Sequence, residues 1–228
     1  MPAAATEGRW RIELLSGAAQ VLHDRPWPVP AVPTIWILEV DRPAIVLGST
    51  QPDDTVDAGR LDAAGIDLVR RRSGGGAVLL VPGGALWIDV LVPTGDPLWR
   101  ADVGVAFEWV GDRWCAALGA SGIDAVAHRG PLVSNRWSAR LCFAGLGPGE
   151  VTVGGRKAVG ISQRRTRAGA LFQCLAVVRD DGAELPTLLD LDDGERAQAR
   201  QVLTARAAAL GLAPGALAGA FVRAVGTV

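Results

Sequence analysis

Apolar and polar positions alternate over residues 10–15, Trp-Arg-Ile-Glu-Leu-Leu, which predicts a strand with one buried face, and the alanine-rich residues 16–24 then allow two helical turns. Residues 25–33 hold four prolines and read as a loop. Two β-rich runs follow, residues 34–40 and 44–48, and the Asp41-Arg42-Pro43 link between them predicts an antiparallel hairpin. A short helix over 57–64 leads to apolar runs at 65–69, 77–81 and 85–92, so residues 67–92 read as an antiparallel meander. From 99 to 118 the period lengthens: Val103, Phe107, Val110, Trp114 and Ala117 recur at helical spacing and predict one buried face, with Cys115 packed beside it. Short apolar segments at 123–127 and 139–143 are read as strand-like, the second ending near Cys142. Residues 150–153 and 156–162 flank Gly154-Gly155, a strong hairpin signal, and residues 170–178 complete a second meander. Helical patterning closes the chain at 194–210 and 214–225. The expected architecture is α+β: a single domain over 1–228, mostly antiparallel sheets flanked by helices, with a core at 34–178 and a helical part at 193–226.

Composition narrows the chemistry. The net charge is -1, so no global basic field argues for nucleic acid, and no signal pattern or long apolar run argues for a membrane; the expectation is a cytoplasmic protein. Cys115, Cys142 and Cys174 are too few and too widely spaced for a disulfide framework or a zinc site, and no metal ligand set is read. Of 23 basic side chains, only Lys157 is lysine. It is either a surface lysine kept by chance or a compact ammonium at a position that a guanidinium cannot fill.

Residues 70–78, Arg-Arg-Arg-Ser-Gly-Gly-Gly-Ala-Val, run a basic triplet into three glycines between predicted strands. Such a loop brings main-chain N–H groups close to a guest and reads either as an anion cradle edged by Arg70, Arg71 and Arg72 or as a glycine hairpin with solvated arginines. Cys142 and the 154–160 hairpin are the other chemically pointed stretches.

Taken in order, these stretches resemble the lipoate-protein ligase and octanoyltransferase superfamily, which includes the biotin-protein ligases. Arg71 to Val78 match its arginine–glycine motif, Gly155 to Gln163 its lysine hairpin, and Val46 to Gln51 its Ile-Gly-x-x-Gln segment. The resemblance implies that fold and an enzyme attaching an octanoyl or lipoyl group to the lysine of a lipoyl domain. It implies a cysteine acyl-enzyme on Cys142 oriented by Lys157, and an acyl or adenylate pocket formed by Arg71, Arg72, Ser73, Gly74, Gly75, Gly76, Ala77, Gly155 and Gly160. The acceptor would be a dehydrogenase-complex E2 subunit or a glycine cleavage H protein, and the donor an acyl carrier protein or free lipoate. No cofactor is required on this reading. The alternatives are an ATP-dependent ligase, needing ATP and Mg, and a non-catalytic acyl or lipoyl-domain binding protein. The chain departs from the family where a polar position is Leu80, where a histidine is replaced by Cys174 after Gln173, and where an Asn-Asp pair is Gly149-Glu150. Neither His23 nor His128 lies where a general base is expected, which leaves base chemistry to the incoming amine, Lys157 or water.

Overall fold

A computed structural model describes residues 4–226. In chain order the elements are β1 (Ala4–Glu7), β2 (Trp10–Gly17), α1 (Ala19–Asp24), β3 (Thr34–Val40), β4 (Ala44–Leu47), α2 (Ala58–Ala64), β5 (Asp67–Arg70), β6 (Val78–Leu80) and β7 (Ala85–Pro93). There follow α3 (Ala106–Ala120), β8 (Val126–Ala127), β9 (Val151–Val153), β10 (Arg156–Thr166), β11 (Gly169–Val177), α4 (Leu185–Leu188), α5 (Asp193–Arg206) and α6 (Pro214–Gly226). They make an eight-stranded sheet of order β1-β2-β3-β7-β11-β10-β9-β8 and a three-stranded sheet of order β5-β4-β6. The fold is α+β and its pairing mostly antiparallel, with β2–β3 and β4–β5 parallel.

Burial explains the layering. On β7 every residue from Leu86 to Val92 is buried, so both faces of the large sheet must be covered there. On one face α3 and α6 pack together, with the Trp114 and Phe221 rings 4.3 Å apart. Trp36, Trp87, Leu91 and Leu171 of the large sheet join Val46, Val69 and Leu80 of the small sheet in one apolar cluster.

Three strand expectations are corrected. Residues 34–48 are not a hairpin: β3 lies between β2 and β7, and β4 lies in the other sheet. All four residues of β4 are buried, and an outer hairpin arm would have left one face in water. Residues 67–92 are not a meander either, since β5 and β6 flank β4 and β7 belongs to the large sheet. The glycine loop between β5 and β6 therefore crosses the end of β4. Cys142 sits not at a strand end but on a 3-10 turn, Cys142–Ala144, closed by Ala144 N on Leu141 O (3.1 Å) just after the amides of Arg140 and Leu141 have turned back on Trp137 O.

The helix expected from residue 99 begins at Ala106, where Asp102 accepts from Val105 N and Ala106 N; Val103 is left 53% exposed. The strand expected over 123–127 shrinks to β8. The penultimate helix stops at Arg206, because the amides of Ala208 and Leu210 bond the carbonyls of Lys157 and Val177. The second meander forms as expected, with Gly154 and Gly155 at φ +56° and +75° in the β9–β10 turn. Among the described residues no helix is long and apolar enough to cross a membrane.

Candidate active site

Between the sheets lies a cavity of about 660 Å³. Its first wall is the glycine loop, and buried Arg71 is what shapes that loop. The guanidinium donates to Gly74 O (2.8 Å from Nη2), Gly76 O (2.8 Å) and Val46 O (3.2 Å). Arg70 bonds the carbonyls of Gly48 and Gln51 and pairs with Asp53, while exposed Arg72 lies 3.6 Å from Asp24. Arg70 and Arg71 thus serve the loop's own carbonyls and Asp53, and Arg72 keeps its guanidinium in solvent. Gln51 clasps the same region, accepting from Gly48 N (2.9 Å) and donating to Ala139 O (3.1 Å).

Glycine is required here by contact. A Cβ on Gly48 would stand 1.8 Å from Gly75 O, and one on Gly76 would stand 2.5 Å from Leu141 N. Ala77 N donates to Arg140 O (2.8 Å) and Cys142 N to Ala77 O (3.0 Å), so the loop and the cysteine turn are laced together.

The second wall carries Cys142 and Lys157. The Lys157 ammonium donates to Cys142 O (2.8 Å) and Gly145 O (3.2 Å) and pairs with Glu150 Oε2 at 2.7 Å. These three acceptors match the three N–H donors of an ammonium. Both charges of the pair are buried, and Glu150 is held further by the amides of Gly147 (2.7 Å) and Ile161 (3.0 Å). Burial pushes the Lys157 pKa down, but the Glu150 carboxylate, and next the negative charge of Cys142 as a thiolate, hold it above the ordinary lysine value.

A third group of polar side chains meets the cavity through α1 and the large sheet. His23 lies with its ring centroid 4.4 Å from that of Trp87, and its Nδ1 is 3.4 Å from Gln173 Nε2. Gln173 accepts from Ser73 Oγ (2.9 Å), which in turn accepts from Ser162 Oγ (3.0 Å). Fully buried Asp89 takes the Trp87 indole N–H (2.7 Å) and an ion pair from Arg25. Burial lowers the His23 pKa from 6.5 to about 4 despite the opposing Asp89 charge, so its imidazole is neutral near pH 7.

Of the residues singled out in the sequence, Arg71, Gly74, Gly75, Gly76, Cys142, Lys157 and Gly160 line the cavity. Ser73 and Ala77 are buried and tie the loop to Gln173 and to the cysteine turn, as above. Arg72 and Gly155 are exposed, Gly155 in the β9–β10 turn, and neither lines the cavity. Leu80 and Cys174 line it, and burial pushes the Cys174 thiol far up. Trp87 is a cavity wall, whereas Trp36 is core, its indole on Glu13 Oε2 (2.8 Å). Sequence reasoning missed His23 and Glu150, which line the cavity, and Asp89, buried behind Trp87 and Gln173. Two of these left a signal: Asp89 is the one charge inside an eight-residue apolar run, and Glu150 stands where the resembled family has its Asn-Asp pair.

Comparison with known proteins agrees with this geometry. Residues 21–213 match the family described as lipoyl protein ligase A/B catalytic domain. A curated relative, the octanoyltransferase LipM of Clostridioides difficile (strain 630), is 26% identical over 133 residues, which are 58% of this chain and 48% of that protein. The chain thus matches about half the length of that relative. The bi-partite lipoate protein ligase of Thermoplasma acidophilum, from a study that includes its E2 lipoyl domain, superposes with a TM-score of 0.73 at 18% identity, covering 98% of this chain and 84% of that one. Lipoate-protein ligase A bound with ATP superposes with a TM-score of 0.70 at 18% identity, covering 97% and 85%. At such identities the superpositions speak for the fold, and the family match covers most of the chain: this protein belongs to the lipoyl protein ligase A/B catalytic domain family.

Proposed function

We propose that this protein is an acyltransferase that moves an octanoyl or lipoyl group from a thioester donor to the target lysine of a lipoyl domain through an acyl-enzyme on Cys142. The observation that carries the reading is the joining of Cys142 to the buried Lys157–Glu150 pair at the wall of one apolar cavity. The Cys142 thiolate adds to the thioester carbonyl, the tetrahedral oxyanion collapses, and the donor leaves as a thiolate that takes up a proton. The acceptor's neutral amine then adds to the new thioester, loses a proton, and expels the Cys142 thiolate with the chain in amide linkage. Each step exchanges one acyl bond for another and needs no oxidant.

Lys157 has a defined part in this scheme. Its three donors are engaged, so it fixes the carbonyl of Cys142 and lends the field of a buried positive charge to the thiolate and the oxyanion, without a free N–H of its own. The octanoyl donor is suggested by the name of the curated relative, and the acceptor by the lipoyl domain studied with the Thermoplasma ligase. The E2 subunit, the H protein and an acyl carrier protein remain the partners that this chemistry implies.

The ligase reading requires ATP and Mg. Two of the loop's three arginines are committed to the protein itself, Arg71 to three carbonyls and Arg70 to two carbonyls and Asp53, which leaves exposed Arg72 as the loop's one arginine open to a triphosphate and favours the transferase. The test is modification of a lipoyl domain by octanoyl carrier protein in the absence of ATP. Transfer lost in Cys142→Ala supports the proposal; modification only with ATP and lipoate would make the protein a ligase, and none under either condition would leave a binding protein.

A further inference from the structure

The cavity has an open side and a buried side. Among its lining residues Gly74, Gly75, Leu132, Ser134 and Ala139 are exposed, so the mouth lies between the glycine loop and the segment that leads to the cysteine turn; Val46, Leu80 and Trp87 are buried. A carrier protein or a lipoyl domain is too large to enter, so it reaches Cys142 from the mouth, and a chain held on Cys142 runs inward from there. The sheet register measures that run. Gly160 stands at the reacting end, where a Cβ would meet Lys157 Cε at 3.3 Å. It pairs with Leu175, which pairs with Trp87, and all three line the cavity. Two strand spacings put Trp87 about 10 Å from Gly160, the length of an extended octanoyl chain. His23 packs on Trp87 at that far end.

His23 carries a free donor there. Ser73 Oγ occupies Gln173 Oε1 (2.9 Å), which turns Gln173 Nε2 toward His23 Nδ1 and Asp89 Oδ2, 3.4 Å from each. A side-chain amide nitrogen only donates, so Nδ1 accepts, and the neutral ring holds its one proton on Nε2. Among the described residues Nε2 has no hydrogen-bond partner, and it is not sealed off by protein. We propose that the His23 Nε2–H selects acyl chains that carry a hydrogen-bond acceptor, sulfur or oxygen, near their far end over plain alkyl chains of the same length. The inference rests on the acyl-pocket reading and adds to it the residue that reads the chain's end. A plain chain covers this donor and leaves it unpaired, whereas an acceptor on the chain replaces the water that the donor loses.

The experiment is calorimetric binding of octanoate, 8-hydroxyoctanoate and lipoate to the full chain and to His23→Phe, which keeps a ring on Trp87 and removes the donor. In the wild type 8-hydroxyoctanoate binds at least as tightly as octanoate; in His23→Phe it weakens about tenfold relative to octanoate, the scale of one unpaired polar group. If lipoate weakens with it, the donor reads sulfur as well as oxygen; if lipoate does not, it reads oxygen alone. Nitrogen NMR of the wild-type histidine ring carries the test if His23→Phe does not fold: Nε2 is protonated, and its signal shifts on adding 8-hydroxyoctanoate but not octanoate. Equal affinity ratios in the wild type and folded His23→Phe, or a proton found on Nδ1, overturn the proposal and leave the acyl reading intact, since octanoate still binds. No binding of any of the three overturns both.

Discussion

Lys157 stands where arginine cannot. A chain that uses arginine for 22 of its 23 basic residues keeps one ammonium, and that group reaches two carbonyls and a carboxylate from a thin stem in a closed pocket. A planar guanidinium keeps the charge but not this geometry. Lys157→Arg is therefore expected to lower acyl transfer by about 100-fold, the scale of losing one electrostatic group at a reacting centre; a wild-type rate would remove Lys157 from the mechanism.

Removing the partner is a stability matter, because it strands a buried charge. Glu150→Ala should cost about 3–5 kcal/mol in urea unfolding. The Lys157 pKa is raised on folding, so its contribution is fully present below the ordinary lysine value and is lost as pH climbs through the raised one. His23 has the opposite sign. Its pKa falls from 6.5 to about 4, so between those values the unfolded chain binds a proton that the folded chain refuses. Stability then declines by about 3 kcal/mol as pH falls from 6.5 to 4, and urea titrations of His23→Leu should lack that decline.

At the level of elements, the glycine loop is defined by what a methyl group would strike. Gly76→Ala places Cβ against the backbone of Leu141, next to Cys142, and should cost about 1–3 kcal/mol while impairing transfer. Gly74→Ala meets nothing within 4 Å, and Gly74 does not have a positive φ, so it should be close to neutral. Equal effects from the two substitutions would contradict this account of the loop.

The same contrast shows how far the sequence could be read. Local chemistry wrote the β9–β10 turn, since two adjacent glycines there need positive φ, and the second meander follows from it. The 193–206 helix was legible too, and the structure shows a capping box from Asp192 and Glu195 at its start. The division of strands between sheets was not legible. β3 and β4 are both apolar and separated by a short link, and their partners lie elsewhere in the chain: β7 for one, β5 and β6 for the other. Cys142 and Lys157 came from motif order, but His23 is a single polar residue whose meaning depends on distances that no spacing encodes.

For the whole molecule, the cavity between the two sheets connects fold and function. The large sheet supplies Lys157, Gly160 and Gln173, the small sheet supplies Val46, Val78 and Leu80, and the loop that crosses from β5 to β6 closes on the cysteine turn. The family match spans residues 21–213, which hold all of these groups. The most direct measurement is intact mass spectrometry of the protein after incubation with octanoyl carrier protein in the absence of ATP. The account predicts a mass gain of one octanoyl group, located at Cys142, absent from Cys142→Ala and released on adding a lipoyl domain; an unmodified protein, or an adduct that survives in Cys142→Ala, would contradict it.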